Sequence, residues 1–349
     1  MNIKIGKKNI GPNERAFIIA EAGVNHNGSF RIAKKLVDEA VVAGVDAIKF
    51  QTFSADRLVT IDAPKADYQK KNTHNSASQY SMLKKLELSE KNQTALKKYC
   101  DSKKIIFLST PHSGIEDVDF LSNLNVEAFK ISSADLTNIP LIEYAAKKRK
   151  PIILSTGMSS FEEISKAVNA IRKRGNKQII LLQCTTSYPC PPEDVNLLAM
   201  KTMEKKFKLH IGFSDHTTGL LAAQLAVAMG AKVIEKHFTL DKNMPGPDHC
   251  ASINPKQLSE FVLGIRLVEK ILGSEKKTVL QSEKSNLKTI RKGIYVAQSI
   301  LKGTKITRKM LCIKRPFAGL LPEKIVSIIG KKAVKNLEKD TPLKKNYVR

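Results

Sequence analysis

The 349-residue chain contains no tryptophan, and aromatic residues make up only 6% of it, so its core must be built mainly from aliphatic side chains. No apolar run approaches the roughly 18 residues that a membrane helix requires. The first ten residues carry lysines but no apolar leader segment. These absences predict a mature cytoplasmic protein with no membrane partner. Cysteine is sparse as well: Cys100, Cys184, Cys190, Cys250 and Cys312 are odd in number, scattered and free of metal-type spacing. That pattern argues against a disulfide framework and a structural zinc.

Acidic residues are few, 33 against 59 basic ones, which leaves a formal charge of +26. Such an excess suggests nucleic acid. Arginine, however, supplies only 11 of the basic residues, whereas base-edge and bidentate phosphate readout favours arginine. The lysines are spread along the chain as doublets such as Lys103-Lys104, Lys147-Lys148 and Lys205-Lys206, several of them where helices should end and a cation suits the helix dipole. We read them as a solvated surface with no nucleic-acid partner; that surface still draws in a small acidic substrate.

What the chain does contain is a recurring unit. Short apolar runs at 17–21, 47–52, 105–110, 128–132, 152–156, 179–184, 209–214 and 232–238 alternate with stretches of helical period. The first helix shows the punctuation: Ser29 as cap, apolar stripes through Ile32, Leu36 and Ala40 and through Ala33, Val37 and Val41, and Gly44 as stop. Ser160 with Glu163 reads as a capping box, and Asn254-Pro255 as the start of a helix running to about Leu272. Eight such units predict a (β/α)8 barrel, whose buried parallel strands should be almost continuously apolar. The doubly wound alternative lacks its glycine fingerprint. From Phe53 to about Ser89 the chain is polar and too long for an ordinary loop, which suggests a lid or binding surface. Past Leu280 short strand-like pieces predict a small second domain. Within it Ile300 to Ile306 is echoed by Leu337 to Leu343. The expected division is residues 1–275, a linker at 276–290, and 291–349.

Barrel enzymes place their chemistry at the carboxyl ends of the strands. Those ends read Glu21; Lys49 and Gln51; Thr110; Lys130 with Ser132 and Ser133; Ser155 and Thr156; Gln183; Ser214 with His216; Glu235 with His237. Polar groups at all eight predict a polar pocket. Lysines with short hydroxyls suit a phosphorylated or carboxylated anion. Glu235 and His237 share a face, and with His216 they could ligate a divalent metal or could form a hydrogen-bonded structural pair; spacing leaves both open. No nucleophile elbow is present.

Several segments together resemble the sialic acid synthase family: Ala20 to Gly28 (AEAGVNHNG), Lys49-Phe50-Gln51-Thr52, Leu108-Ser109-Thr110-Pro111, Leu154 to Met158 (LSTGM), Gly212 to His216 (GFSDH), Glu235 to Asp241 (EKHFTLD) and Gly246 to His249 (GPDH). The likeness runs along nearly the whole chain, and the tail with Lys314-Arg315-Pro316 resembles the antifreeze-like (SAF-type, β-clip) domain of these enzymes. It implies condensation of phosphoenolpyruvate with an N-acetylated hexosamine to give a nine-carbon 2-keto acid, with release of phosphate. It further implies that Lys49, Thr110, Lys130, Ser133, Ser155 and Ser214 hold phosphoenolpyruvate, and that His216 and His237 bind manganese or magnesium. By the same likeness Glu21 positions or deprotonates water or hydroxyl groups, Gln51, Tyr188 and Asp248 contact the sugar, and Arg315 reaches the site of the partner in a domain-swapped homodimer. Three departures stand out: Ser133-Ala134-Asp135 where Ser-Gly-Glu is usual, His112 for Phe, and Gln183-Cys184 for His-Cys. The segment from Asp67 through Ser89 resembles the N-acetylneuraminate and diacetyllegionaminate branch rather than the pseudaminate one. A barrel condensing phosphoenolpyruvate with a phosphosugar would want an arginine-rich clamp at the mouth, and none is read there.

Overall fold

Eight parallel strands form the centre of the computed structural model, which describes residues 2–73 and 77–349. Met1 and residues 74–76, the latter inside the long connection expected at 53–89, lie outside the described residues. The chain separates into two compact units, Met1–Gly273 and Ser274–Arg349.

The first unit opens with an antiparallel hairpin that the sequence pattern does not announce, β1 (Ile3–Ile5) with β2 (Lys8–Ile10). Then come the barrel strands β3 (Phe17–Gly23), β4 (Ala47–Thr52), β5 (Ile106–Pro111), β6 (Phe129–Ile131), β7 (Ile152–Ser155), β8 (Ile179–Cys184), β9 (His210–Asp215) and β10 (Val233–His237). Each overlaps the run expected for it. Their order is β5-β4-β3-β10-β9-β8-β7-β6, and β5 lies beside β6, so the sheet curls into a barrel. The helices carry the expected punctuation. Ser29 caps Phe30–Ala43 by accepting from the Ile32 amide, and Gly44 ends it at φ +77°. Ser160 and Glu163 close a capping box on Phe161–Lys173, and Asn254 with Gln257 does the same for Pro255–Leu272. Among the described residues no helix is long and apolar enough to cross a membrane.

Strand alternation divides the core into two layers. Phe17, Ile19, Leu108, Ile153, Ile180, Leu182 and Val233 join an inner cluster with Ile3, Ile5 and Ile10 of the hairpin. The hairpin thus caps the amino-terminal end of the barrel with isoleucine. The opposite faces, Ile18, Ile48, Phe107, Phe129, Leu154, Leu181, Phe213 and Ile234, pack against the helices. Farther along, the inward positions turn polar and remain buried: Glu21, Lys49, Thr110, Lys130, Ser155, Ser214 and Glu235.

In the second unit β11 (Gly293–Val296) pairs antiparallel with β12 (Leu311–Lys314). The two echoed segments meet directly, since Ile300 and Leu337 exchange both backbone hydrogen bonds at 2.8 Å. Ile306 and Leu343, equivalent in the echo, are both fully buried in the unit's own core.

Candidate active site

The resemblance gives roles to thirteen residues. Twelve of them line a single cavity of about 530 Å3 at the carboxyl end of the barrel: Glu21, Lys49, Gln51, Thr110, Lys130, Ser133, Ser155, Tyr188, Ser214, His216, His237 and Asp248. Arg315 belongs to the second unit, where it is exposed just beyond β12. The geometry corrects the reading of two strand ends. Gln183 points outward and donates to the Val195 carbonyl at 3.2 Å, while Thr156 donates to the Leu182 carbonyl at 2.8 Å; Cys184 occupies the inward position of β8.

At the floor four charges alternate. Lys49 Nζ lies 2.7 Å from Glu21 Oε2, 3.8 Å from Glu235 Oε2 and 3.2 Å from Thr110 Oγ1, and Lys130 Nζ lies 3.6 Å from Glu235 Oε1. All four side chains are buried, so each cation is held by the adjacent carboxylates. Burial pushes the Glu21 carboxyl up to about 7 against the opposing pull of Lys49. Burial also works against ionised Glu235, yet Lys130 and Lys49 outweigh it and hold that carboxyl well below the usual range. The pair therefore diverges into one carboxyl poised near neutrality and one permanent anion. Strand parity with Phe17 and Ile19 turns the Glu21 carboxyl inward, and the register between β3 and β4 shifts just beyond it, between Glu21 and Gly23. Gly23 is needed there: its φ is +50°, and a Cβ would come within 3.3 Å of Glu21 Oε1.

The hydroxyls differ in how they are engaged. Ser214 donates to Glu235 at 2.9 Å, and Ser133 accepts the Gly157 amide at 3.0 Å. Ser155 Oγ is buried without a partner in the protein. Among the departures from the family pattern, Asp135 accepts from Ser132 at 2.6 Å and faces His112 at 3.7 Å. Burial, with Lys49 and Lys130 nearby, holds the His112 imidazole down to about 3.

Two imidazoles face the cavity from β10 and the end of β9, with ring centroids 5.5 Å apart. His216 Nδ1 is bound to the Thr185 carbonyl at 2.7 Å, and its Nε2 lies 3.4 Å from Ser214 Oγ; burial works against the charged ring, yet Cys184, the Thr185 carbonyl and Glu235 hold its pKa above the ordinary value. His237 Nδ1 is buried without a partner, and burial with His216 and Lys49 nearby keeps this ring neutral. A neutral imidazole with an uncommitted nitrogen, as His237 has, is a suitable donor for a divalent cation. Among the described residues no group of three or more His, Cys, Asp or Glu side chains is arranged to hold a metal ion.

The long connection is not featureless. It carries short helices at Ala55–Leu58, Asp67–Thr73 and Gln79–Lys84, and it roofs the cavity. Tyr68 meets Tyr188 at 5.1 Å between ring centroids, and Tyr188 packs at a tilt against His216 at 4.2 Å. Asn72 ties the roof to the Pro247 carbonyl at 2.6 Å, beside Asp248, whose carboxyl burial pushes up to about 6. Glu235, expected among the strand ends, also lines the cavity, and Cys184, His112 and Tyr68 are lining residues to which neither the strand ends nor the resemblance gave a role. Strict inward parity along β8 would have pointed to Cys184.

The chain matches the NeuB family over residues 36–277 and the SAF domain over residues 291–349. It is 44% identical to the N,N'-diacetyllegionaminic acid synthase of Legionella pneumophila, covering 97% of this chain and 96% of that protein. It is 45% identical to the N,N'-diacetyllegionaminic acid synthase of Campylobacter jejuni, covering 94% and 98%. Among solved structures, the N-acetylneuraminic acid synthetase of Leptospira borgpetersenii superposes with a TM-score of 0.73 at 36% identity, covering 82% of this chain and 95% of that one.

Proposed function

This chain belongs to the NeuB family, with a SAF domain at its carboxyl end, and from that membership we propose that it joins phosphoenolpyruvate to an N-acetylated mannosamine-type sugar. It is an enzyme of the sialic acid synthase type. The proposed product is a nine-carbon 2-keto sugar acid, N-acetylneuraminate or N,N'-diacetyllegionaminate, formed with release of phosphate. The observation that carries this reading is the buried charge arrangement: Lys49 and Lys130 converge at one mouth beside the unpartnered Ser155 hydroxyl, a socket for a small polyanion.

In this reading Lys49, Lys130, Thr110, Ser133, Ser155 and Ser214 bind the carboxylate and phosphate of phosphoenolpyruvate. Gln51, Tyr188 and Asp248 hold the open-chain sugar with its aldehyde toward the enol, and Arg315 of a second copy completes the pocket in a cytoplasmic homodimer. Carbon 3 of the enol attacks the aldehyde carbon, whose oxygen gains the electron pair and then a proton. Water adds at carbon 2, and phosphate leaves with the bridging oxygen. Glu21, poised near neutrality, is placed to take the proton of that water, while Lys49 beside it steadies the resulting charge. His216 and His237 would hold a manganese or magnesium ion, whose contribution is Lewis-acid polarisation of the sugar aldehyde.

The test is phosphate release with mass analysis of the product. Turnover should require phosphoenolpyruvate, an acetamido-mannose acceptor and a divalent ion together. His237→Gln should lose metal-dependent turnover and bind manganese more weakly in calorimetry. Unchanged manganese binding would remove His237 from the ligand set.

A further inference from the structure

We infer that the buried ion pair of Asp215 and Lys236 is a positioning device for the two imidazoles: it ties the turn that bears His216 to the strand end that bears His237. This rests on the reading that those imidazoles hold a divalent ion, and it adds the residues that fix their spacing. Asp215 ends β9, Lys236 lies opposite it on β10, and each directly adjoins one imidazole in the sequence. Their neighbours Ser214, His216, Glu235 and His237 line the cavity, so by alternation the pair faces outward, behind the site and not in it. It is sealed there: Lys236 Nζ lies 2.9 Å from Asp215 Oδ2, and the two side chains are 1% and 0% exposed.

Both charges close on the residue after His216. Asp215 Oδ1 accepts the Thr217 amide at 2.9 Å and the Thr217 hydroxyl at 2.8 Å, an Asx-type turn with His216 at its centre. Lys236 donates to the Thr217 carbonyl, and its Nζ lies 3.4 Å from the Thr217 hydroxyl oxygen. The His216 carbonyl in turn accepts the Cys190 amide at 2.8 Å. The backbone on both sides of His216 is thereby tied to the residue before His237, and the 5.5 Å between the rings is held by directed bonds as well as by packing. Taking two charges out of water is costly, and a buried pair gains little over apolar side chains of equal size. What apolar side chains cannot supply is direction, since donors and acceptors at set angles hold a turn in one conformation. Groups that orient metal-binding imidazoles are typically worth about 10- to 100-fold in metal affinity.

The experiment measures manganese binding to the full chain by calorimetry, with the thermal midpoint and the KM for phosphoenolpyruvate at saturating manganese recorded alongside. Asp215→Asn combined with Lys236→Met removes both charges at similar volume and leaves the net charge unchanged, so a change in affinity reports geometry. This double variant should bind manganese about tenfold or more weakly at an unchanged KM for phosphoenolpyruvate. Thr217→Val, which removes only the hydroxyl link, should weaken binding several-fold, and it carries the decision if the double variant does not fold. Asp46→Asn combined with Arg266→Met removes an ion pair of 3.1 Å at the amino-terminal end of the barrel and should leave manganese affinity at the parent value. Parent-like affinity in the deciding variant, or an equal loss in the distant control, overturns the inference and leaves the ligand assignment standing. A parent chain that binds no manganese, or binds it no better than His237→Gln does, overturns the ligand assignment and this inference with it.

Discussion

Ser155 ends β7 with a buried hydroxyl that meets nothing in the protein, and an unsatisfied polar group of this kind costs about 1–3 kcal/mol. Because Ser155 lines the cavity, that hydroxyl is free for a ligand. Ser155→Ala should therefore leave the thermal midpoint unchanged or slightly raised, while the KM for phosphoenolpyruvate rises about tenfold or more, the value of a hydrogen bond to a charged group. Lost stability with an unchanged KM would sink that assignment. His26 makes the converse case, a polar residue held for the fold. Its Nδ1 accepts the Gly28 amide at 3.0 Å and its Nε2 has no partner. Burial, with His249 nearby, lowers its pKa from 6.5 to about 4. Between those values the unfolded chain takes up a proton that the folded chain refuses, so stability is whole above pH 6.5 and is lost as pH falls toward 4. At about 1.4 kcal/mol per pH unit the loss approaches 3 kcal/mol. His26→Asn, which keeps an acceptor for the Gly28 amide, should lose about 2 kcal/mol less than the parent between pH 6.5 and 4.5 in urea titrations. An identical slope in both proteins would show that His26 titrates normally.

Between neighbouring elements the tightest approach that shapes the mouth is β9 on β10. A Cβ on Gly212 would fall 2.3 Å from the Val233 carbonyl oxygen and 2.5 Å from Leu182 Cδ2. Gly212→Ala must spread β9 from its neighbours, at about 1–3 kcal/mol or more. Because β9 carries Ser214 and β10 carries Glu235 and His237, turnover should fall together with the thermal midpoint; retention of both would contradict the packing. The same elements show what sequence can carry. All eight barrel strands were legible because strands buried on both faces are nearly continuous apolar runs, and the helices because Ser29, Ser160 and Asn254 sit where caps belong. The β1–β2 hairpin was not legible, since three-residue strands interleaved with lysine offer no period to read. Gln183 was misjudged for a different reason. Polarity at a strand end does not reveal which face it occupies, and only parity with Ile180 and Leu182 assigns the inward place to Cys184. Glu235 was seen as a candidate metal ligand, whereas the fold sets it between two lysines, a relation across β4, β6 and β10 that no local spacing encodes.

At the scale of the whole molecule, the proposal that Arg315 completes the pocket of a second copy can be tested through symmetry. In a swapped homodimer each pocket takes its lysines from one copy and its arginine from the other. Lys49→Met should be inactive because its own floor is broken, and Arg315→Ala should be strongly impaired because it supplies no arginine to its neighbour. When the two are co-expressed, random pairing makes about half the dimers mixed, and each mixed dimer owns one pocket with Lys49 from one copy and Arg315 from the other, so about a quarter of wild-type activity should return. If Arg315 instead served its own barrel, every pocket in a mixed dimer would lack one residue or the other, and co-expression would restore nothing. Purifying the mixed species on two different affinity tags separates this outcome from a failure to pair. An active mixed dimer assigns the second unit of each copy to the chemistry of the other, whereas an inactive one returns Arg315 to its own barrel or removes it from the site.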